Sequence, residues 1–219
     1  MSTDKPDVPE GTPESGRAAP ETEAERHRRK MQNRKEFMEK KIAAADIDRG
    51  VLVVNTGPGK GKTSSGFGMI IRALGHGMKV GVVQFIKGRD DTGEKLFLQR
   101  FPDLLEIHIA GEGFTWDTQD KARDIARAEE GWAKAKVLLA DPSVQVVLLD
   151  ELNIALRYGY LDVHTVVRDL MARAPMQHVI VTGRNAPPEL IEAADTVTEM
   201  TLLKHAFKAG VKAQKGIEW

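Results

Sequence analysis

The chain has 219 residues and no cysteine, and its 32 lysines and arginines are balanced by 32 aspartates and glutamates. At roughly 150 residues per domain, this length predicts one large domain or two small ones. Zero formal charge argues against a general nucleic-acid-binding protein, and the lack of cysteine excludes disulfides, thiolate-bound zinc and iron–sulfur clusters. The apolar runs are far shorter than the roughly 20 residues that cross a bilayer, and the N-terminus lacks a secretory pattern, so we expect a cytoplasmic protein with no membrane partner.

The first part of the chain differs in composition from the rest. Residues 1–20 hold four of the ten prolines and few apolar side chains, which predicts a disordered tail. Residues 21–49 are predicted to form a charged helical arm, because positions 26–41 carry eight lysines and arginines against two glutamates. Its apolar positions give only a narrow stripe, at Met31, Phe37, Met38 and Ile42. The arm is either a solvated helix or a segment that docks on an anionic ligand or a second subunit.

Residues 50–219 are predicted to form a single α/β domain. Runs rich in valine, isoleucine and leucine predict strands at 51–55, 79–86, 105–109, 144–149 and 179–182, with a weaker sixth at 196–200. Helical patterns lie at 61–74, 94–101, 118–140, 163–174 and 188–193, and the tail from 204 is expected to be a helix with an irregular end. Continuous apolar strands alternating with helices predict a doubly wound, mostly parallel sheet of about six strands with helices on both faces.

A glycine-rich loop follows the first predicted strand and leads directly into a helical pattern. In a loop of this kind, as in P-loop NTPases, backbone N–H groups and the helix N-terminus face phosphate oxygens, a lysine supplies a cation, and the next hydroxyl can bind Mg²⁺. A plain glycine turn would leave the lysines and hydroxyls unexplained. The candidate phosphate-binding residues are Gly57, Pro58, Gly59, Lys60, Gly61, Lys62, Thr63 and Ser64.

The loop departs from the common pattern at one position. The residue five places before Gly61 is normally glycine and here is Thr56, so the loop is slightly short. This brings the usual orientation of the nucleotide into question, but not phosphate binding itself.

Two acids end another buried strand, where Val146-Val147-Leu148-Leu149 is followed by Asp150 and Glu151. Carboxylates at the C-terminal end of a parallel strand lie on the ligand side of the sheet, where they can hold Mg²⁺ together with Thr63. The alternative is a helix N-cap, which explains one acid better than two. The sequence does not say which of the two contacts the ion directly.

Two arginines are further candidates for phosphate binding. Arg184 follows the strand at 179–182, and the forked donors of its guanidinium suit phosphate oxygens. Arg72 lies on the helix after the loop. A surface salt bridge is the alternative for each.

A pair of aromatic residues lies in the loop after the third predicted strand. Phe114 and Trp116 are notable because only 5% of the chain is aromatic. They form either an apolar floor for a large flat ligand or a plug that anchors the loop to the core.

From about residue 28 to its end, the chain resembles the P-loop type of corrinoid adenosyltransferase. The resemblance rests on the shortened loop together with several further motifs. These motifs are Arg72-Ala73-Leu74-Gly75-His76-Gly77, Gly81-Val82-Val83-Gln84-Phe85-Ile86-Lys87-Gly88, Gly113-Phe114-Thr115-Trp116, Leu149-Asp150-Glu151-Leu152, Thr182-Gly183-Arg184, Lys204-His205-Ala206-Phe207 and Gly210-Val211-Lys212-Ala213-Gln214.

The resemblance implies a reaction between ATP and a reduced corrinoid, either cob(I)alamin or a precursor such as the a,c-diamide. The Co(I) centre attacks the 5′ carbon of the ATP ribose and tripolyphosphate leaves. Lys62 and Glu151 are then the catalytic residues, and the loop, Arg72 and Arg184 bind ATP. Mg²⁺, or Mn²⁺ in its place, is held by Thr63, Asp150 and Glu151. Phe114 and Trp116 pack on the lower face of the corrin and exclude its axial ligand, which eases reduction of Co(II).

The resemblance also implies two partners besides the substrates: a reduced flavoprotein that donates electrons, and a second copy of the chain in a homodimer. In that dimer the arm at 21–49 reaches over the partner's active site. Two other classes of function remain open, namely a P-loop ATPase or kinase acting by phosphoryl transfer and a carrier that binds both ligands without catalysis.

Overall fold

A computed structural model of the protein describes residues 21–86, 92–110 and 120–218. Its contacts divide the chain into two units, one ending at Ile47 and the other beginning at Asp48. The first unit contains helix α1 (Glu23–Ala43), which has no buried residue and exposes the whole predicted apolar stripe. Thr22 and Glu25 form a capping box at its start, which satisfies backbone N–H groups that the first helical turn leaves unpaired.

The second unit is an α/β fold. Within the described residues its strands are β1 (Leu52–Thr56), β2 (Val80–Gln84), β3 (Leu105–Ile109), β4 (Val146–Asp150), β5 (His178–Thr182) and β6 (Thr196–Glu199). They form one sheet in the order β3-β2-β4-β5-β1-β6, and every neighbouring pair is parallel. The predicted α/β class and six-stranded sheet are confirmed.

Helices connect the strands and cover both faces of the sheet. They are α2 (Lys62–Gly75), α3 (Gly93–Leu98), α4 (Lys121–Ala140), α5 (Leu152–Arg157), α6 (Val163–Met171) and α7 (Pro188–Ala193). Side chains of the central strand β4 alternate between two apolar clusters. Val146 and Leu148 pack with α2 and α3, whereas Val147 and Leu149 pack with α4 to α7. Burial on both faces explains why β4 is a nearly continuous apolar run in the sequence.

Several element boundaries differ from those predicted. Helix α6 ends at Met171 instead of extending to 174, and the described part of α4 begins at Lys121. The tail forms only a 3-10 helix of four residues, Ala206–Ala209, followed by turns. In the described residues, no helix is long and apolar enough to cross a membrane.

An ion pair joins the segments that precede β1 and β6, at the edge of the sheet opposite the strand C-termini. The guanidinium of Arg49 contacts the carboxylate of Asp195, which also accepts the backbone N–H of Leu52 at 2.7 Å. The hydrogen bond from Arg49, with that from the Leu52 backbone, holds the pKa of Asp195 below its ordinary value. These contacts stabilise the edge of the sheet where the strands begin. The predicted site lies at the other edge, where the strands end.

Candidate functional site

The predicted phosphate loop connects β1 to α2 at the C-terminal edge of the sheet. Gly57 and Gly61 have φ angles of 97° and 104°, which residues other than glycine rarely adopt. A Cβ atom added to Gly57 or Gly59 would lie 2.5 Å from the carbonyl oxygen of Met200 or Thr201. The N–H of Gly59 donates to the Met200 carbonyl at 2.6 Å. The glycines therefore let the loop pack against the backbone that follows β6, and one of its amides is already paired there.

Thr56, the residue that departs from the common loop pattern, joins the loop to both neighbouring segments. Its side-chain hydroxyl accepts the N–H of Ala186 at 3.0 Å, and its carbonyl accepts the N–H of Met200 at 2.8 Å. Ala186 lies two residues after Arg184. A glycine at position 56 would lose the first of these bonds, so the threonine ties the loop to the segment that carries Arg184.

A pocket of about 510 Å³ opens beside the loop and is mostly polar in its lining. Its wall combines cations from the loop and from the β5–α7 connection with carboxylates from three separate segments. The lining residues are Gly59, Lys60, Gly61, Lys62, Thr63, Ser64, Gly93, Glu94, Glu151, Arg184, His205, Gly216, Ile217 and Glu218. A polar pocket of this volume at the C-terminal edge of a parallel sheet is typical of a nucleotide-binding site.

Lys62 is the most buried charged group of the loop, with 6% of its surface exposed. Its ammonium donates to the carbonyl of Gly59. Burial lowers the pKa of Lys62 from its ordinary value; Glu151 opposes that shift, and the charges of Arg184 and Lys60 add to it. Lys60, Lys62 and Arg184 thus face one pocket, and a bound polyanion would stabilise their charged forms.

Asp150 lies behind the pocket wall, with 3% of its surface exposed. Its carboxylate accepts hydrogen bonds from the Gln84 amide at 3.0 Å and the Thr182 hydroxyl at 2.7 Å. Burial raises the pKa of Asp150, while the polar groups of Gln84, Thr182 and Thr63 lower it. Gln84 and Thr182 therefore hold the carboxylate in place, close to the hydroxyl of Thr63.

Glu151, by contrast, lines the pocket. Its backbone has φ 60° and ψ 22°, in the left-handed region, and its N–H donates to the Thr182 hydroxyl at 3.0 Å. It stands at the N-cap position of α5 but its side chain makes no capping hydrogen bond, which argues against a purely structural role. Burial, followed by the charge of Asp150, raises the pKa of Glu151, whereas Lys62 and Arg184 lower it.

The structure brings together most of the predicted site residues. Gly59 to Ser64, Glu151 and Arg184 share the pocket, and Asp150 supports it from behind. Gly57 and Pro58 belong to the loop but do not line the pocket. Arg72 is exposed in the last turn of α2, away from the lining, so its role in ATP binding stays a prediction.

Other predicted features are not tested by these contacts. Phe114 and Trp116 lie outside the described residues. No group of three or more histidine, aspartate or glutamate side chains suited to a metal occurs in the described part of the chain. A metal at this site would therefore need ligands beyond the protein's carboxylates, and the loop hydroxyl beside Asp150 together with phosphate oxygens would provide them.

Three pocket residues with ionisable side chains were not assigned from the sequence: Glu94, His205 and Glu218. Glu94 is close enough to Asp150 to raise the pKa of that carboxyl through its charge. The Glu218 carboxylate forms an ion pair with the Lys60 ammonium. Of these three residues, only His205 lies in a motif noted in the sequence, Lys204-His205-Ala206-Phe207. That motif supports the resemblance to corrinoid adenosyltransferases but does not indicate a role for the histidine.

Comparison with known proteins places this pocket in a family. Residues 48–219 match the family model described as ATP:corrinoid adenosyltransferase BtuR/CobO/CobP, and residues 19–42 match the model for the cob(I)alamin adenosyltransferase N terminal region. A corrinoid adenosyltransferase from Pseudomonas aeruginosa is 63% identical over 195 residues, covering 89% of this chain and 96% of the relative.

Two further relatives carry the same name. A corrinoid adenosyltransferase from a Sinorhizobium species is 52% identical over 206 residues, which covers 93% of this chain and 96% of the relative. The corrinoid adenosyltransferase of Escherichia coli K12 is 48% identical, with coverage of 89% and 98%. The loop geometry, the paired acids and matches across most of both chains lead to one conclusion: the chain belongs to the ATP:corrinoid adenosyltransferase family.

Proposed function

We propose that this protein transfers the 5′-deoxyadenosyl group of ATP to the cobalt of a Co(I) corrinoid in adenosylcobalamin synthesis or salvage. The main support is a pocket in which Lys60, Lys62 and Arg184 lie beside a phosphate-binding loop, in a chain that belongs to this family. The Co(I) electron pair forms a bond to C5′, the C5′–O5′ bond breaks, and its electrons leave with tripolyphosphate. The family assignment does not favour phosphoryl transfer, the reaction of an ATPase or kinase.

The cations of the pocket act on the leaving group. Negative charge builds up on the triphosphate as the C5′–O5′ bond breaks, and preorganised donors in a partly buried site stabilise that charge. Lys62 would take this role, and its position inside the loop, where its ammonium donates to the Gly59 carbonyl, supports the proposal. Arg184 would contribute charge from the β5–α7 connection.

The residues present suit Mg²⁺, with Mn²⁺ as a substitute. Thr63 would contact the ion directly, while Asp150, whose pKa the nearby Thr63 hydroxyl lowers, would orient that hydroxyl from behind. Glu151, which lines the pocket, would complete the site. When bound, the ion supplies positive charge to the phosphates of the leaving group.

The remaining parts of the proposal concern the corrinoid and the assembly. Phe114 and Trp116 would contact the corrin and exclude its lower axial ligand, which would let a reduced flavoprotein deliver an electron to Co(II). The charged arm, α1, covers the active site of a second copy in a homodimer. Cytoplasmic location is consistent with these partners.

Adenosyl transfer can be tested with purified protein, ATP, Mg²⁺ and chemically reduced cobalamin. We expect the cob(I)alamin absorbance to fall as tripolyphosphate appears. Persistence of cob(I)alamin, or release of ADP or orthophosphate alone, would contradict the proposal. Lys62→Ala should lower turnover by at least about 100-fold. The matched control is Lys79→Ala, since Lys79 forms a surface ion pair with Asp141 at 3.6 Å outside the pocket and its loss should leave turnover unchanged.

The aromatic residues require a separate assay. Trp116→Ala should impair the reaction that starts from Co(II) with a reducing flavoprotein. It should have little effect when Co(I) is supplied directly. An equal loss in both assays would contradict the assigned role.

A further inference from the structure

One wall of the pocket is built by a part of the chain that no function has yet been given. His205 and Gly216 to Glu218 line the pocket together with the loop residues and Arg184. Glu218 is already paired with the ammonium of Lys60. His205 is therefore the group of this wall that is chemically suited to contact an anionic ligand directly.

Local hydrogen bonding fixes the donor atom of the His205 ring. His205 is the N-cap of the 3-10 helix at Ala206–Ala209, and its Nδ1 accepts the backbone N–H of Phe207 at 3.1 Å. Because Nδ1 acts as an acceptor, the proton of the neutral ring resides on Nε2, which is then a hydrogen-bond donor. Among the described residues, Nε2 has no hydrogen-bond partner.

The pocket supplies a reason for that donor. Lys60, Lys62 and Arg184 attract an anionic ligand to the pocket. A polyphosphate has many acceptor oxygens, so it can accept a hydrogen bond from His205 as well as from these three side chains and the loop amides. We infer that His205 is a polyphosphate-binding residue, which donates from Nε2 to the phosphates of ATP and to the departing tripolyphosphate. This inference rests on the proposed function and adds a contact from the C-terminal segment to its site.

The competing explanation is that His205 only caps the short helix. Two substitutions separate the roles, because asparagine and glutamine each reproduce one ring nitrogen. His205→Asn places an acceptor near the position of Nδ1 and keeps the cap, but it removes the donor at Nε2. His205→Gln reaches the position of Nε2 with an N–H donor and loses the cap.

The experiment measures binding of tripolyphosphate with Mg²⁺ by calorimetry, together with the unfolding temperature of each variant. We expect His205→Asn to weaken binding about tenfold, as for a hydrogen bond to a charged group, with an unchanged unfolding temperature. His205→Gln should bind within about threefold of the wild type and unfold at a lower temperature.

Binding by His205→Asn within about twofold of the wild type would overturn the inference. If His205→Asn also loses stability, the glutamine variant decides: retained binding supports the inference, and lost binding overturns it. A failure of the proposed function is distinguishable, because it would appear as unconsumed cob(I)alamin in the adenosyl-transfer assay, whereas the binding experiment tests the contact of His205 with phosphate alone.

Discussion

Thr182 links the strand framework to the paired acids, and its replacement by valine tests that link. The side chain is fully buried at the end of β5. Its hydroxyl donates to Asp150 at 2.7 Å and accepts the N–H of Glu151 at 3.0 Å. Valine has nearly the same shape, so Thr182→Val removes both hydrogen bonds without opening a cavity.

The cost of this change follows from the two lost bonds. A hydrogen bond to a charged group contributes about 1.5–3 kcal/mol, and a buried N–H without an acceptor costs about 1–3 kcal/mol. We expect Thr182→Val to lower the free energy of unfolding by about 3–5 kcal/mol, a large share of the stability of an ordinary domain. It should also reduce adenosyl transfer, since Asp150 and Glu151 would lose their shared anchor.

The assay is urea-induced unfolding followed by circular dichroism, without nucleotide, at neutral pH. Thr182→Ser is the matched control, because it keeps the hydroxyl and loses only a methyl group that faces α2 near Gly66. That variant should cost about 1 kcal/mol. If valine and serine destabilise the protein equally, the hydroxyl does not hold the acids and the reasoning is refuted.

Four other variants test further contacts. In α2, Gly66→Ala would place a Cβ 2.8 Å from a buried leucine methyl and should cost about 1–3 kcal/mol in urea unfolding. Gly68→Ala meets nothing within 4 Å and should gain about 0.5–1 kcal/mol, so equal effects would argue against close packing of α2. The depressed pKa of Asp195 contributes stability above about pH 4 that is lost at lower pH. The free energy of unfolding of the wild type should therefore exceed that of Asp195→Asn at neutral pH, and the difference should vanish on acidification. A difference that does not depend on pH would contradict this. Glu218→Gln removes the ion pair of the Lys60 ammonium, so ATP binding measured by titration at low salt should tighten by up to about fivefold. Unchanged affinity would show that Glu218 does not compete with phosphate for Lys60.

The sheet and the loop side of the site were predictable because their signals are local. Strands buried on both faces must be continuous apolar runs, as at β4, and the C-terminal ends of parallel strands meet at one edge. That geometry was enough to place Lys62, Glu151 and Arg184 in one pocket from spacing and topology alone. The ends of some helices were misjudged, because fraying and capping set them, and the tail was wrongly expected to be a helix.

The other side of the site could not be predicted, for physical reasons. His205 and Glu218 reach the pocket through the path of the chain after β6, and a 3-10 helix of four residues is too short to produce a hydrophobic period. The different environments of Asp150 and Glu151 depend on a left-handed backbone turn, which no residue pattern at that position indicates.

That backbone turn sets a trade-off between stability and activity. A left-handed conformation costs a residue with a side chain about 1–2 kcal/mol, whereas asparagine tolerates it much better. Glu151 holds this conformation while burying a carboxylate beside a second one. Asparagine at position 151 should therefore give a more robust fold with a poorer catalyst, and a search for thermostable variants that ignores activity would converge on this position.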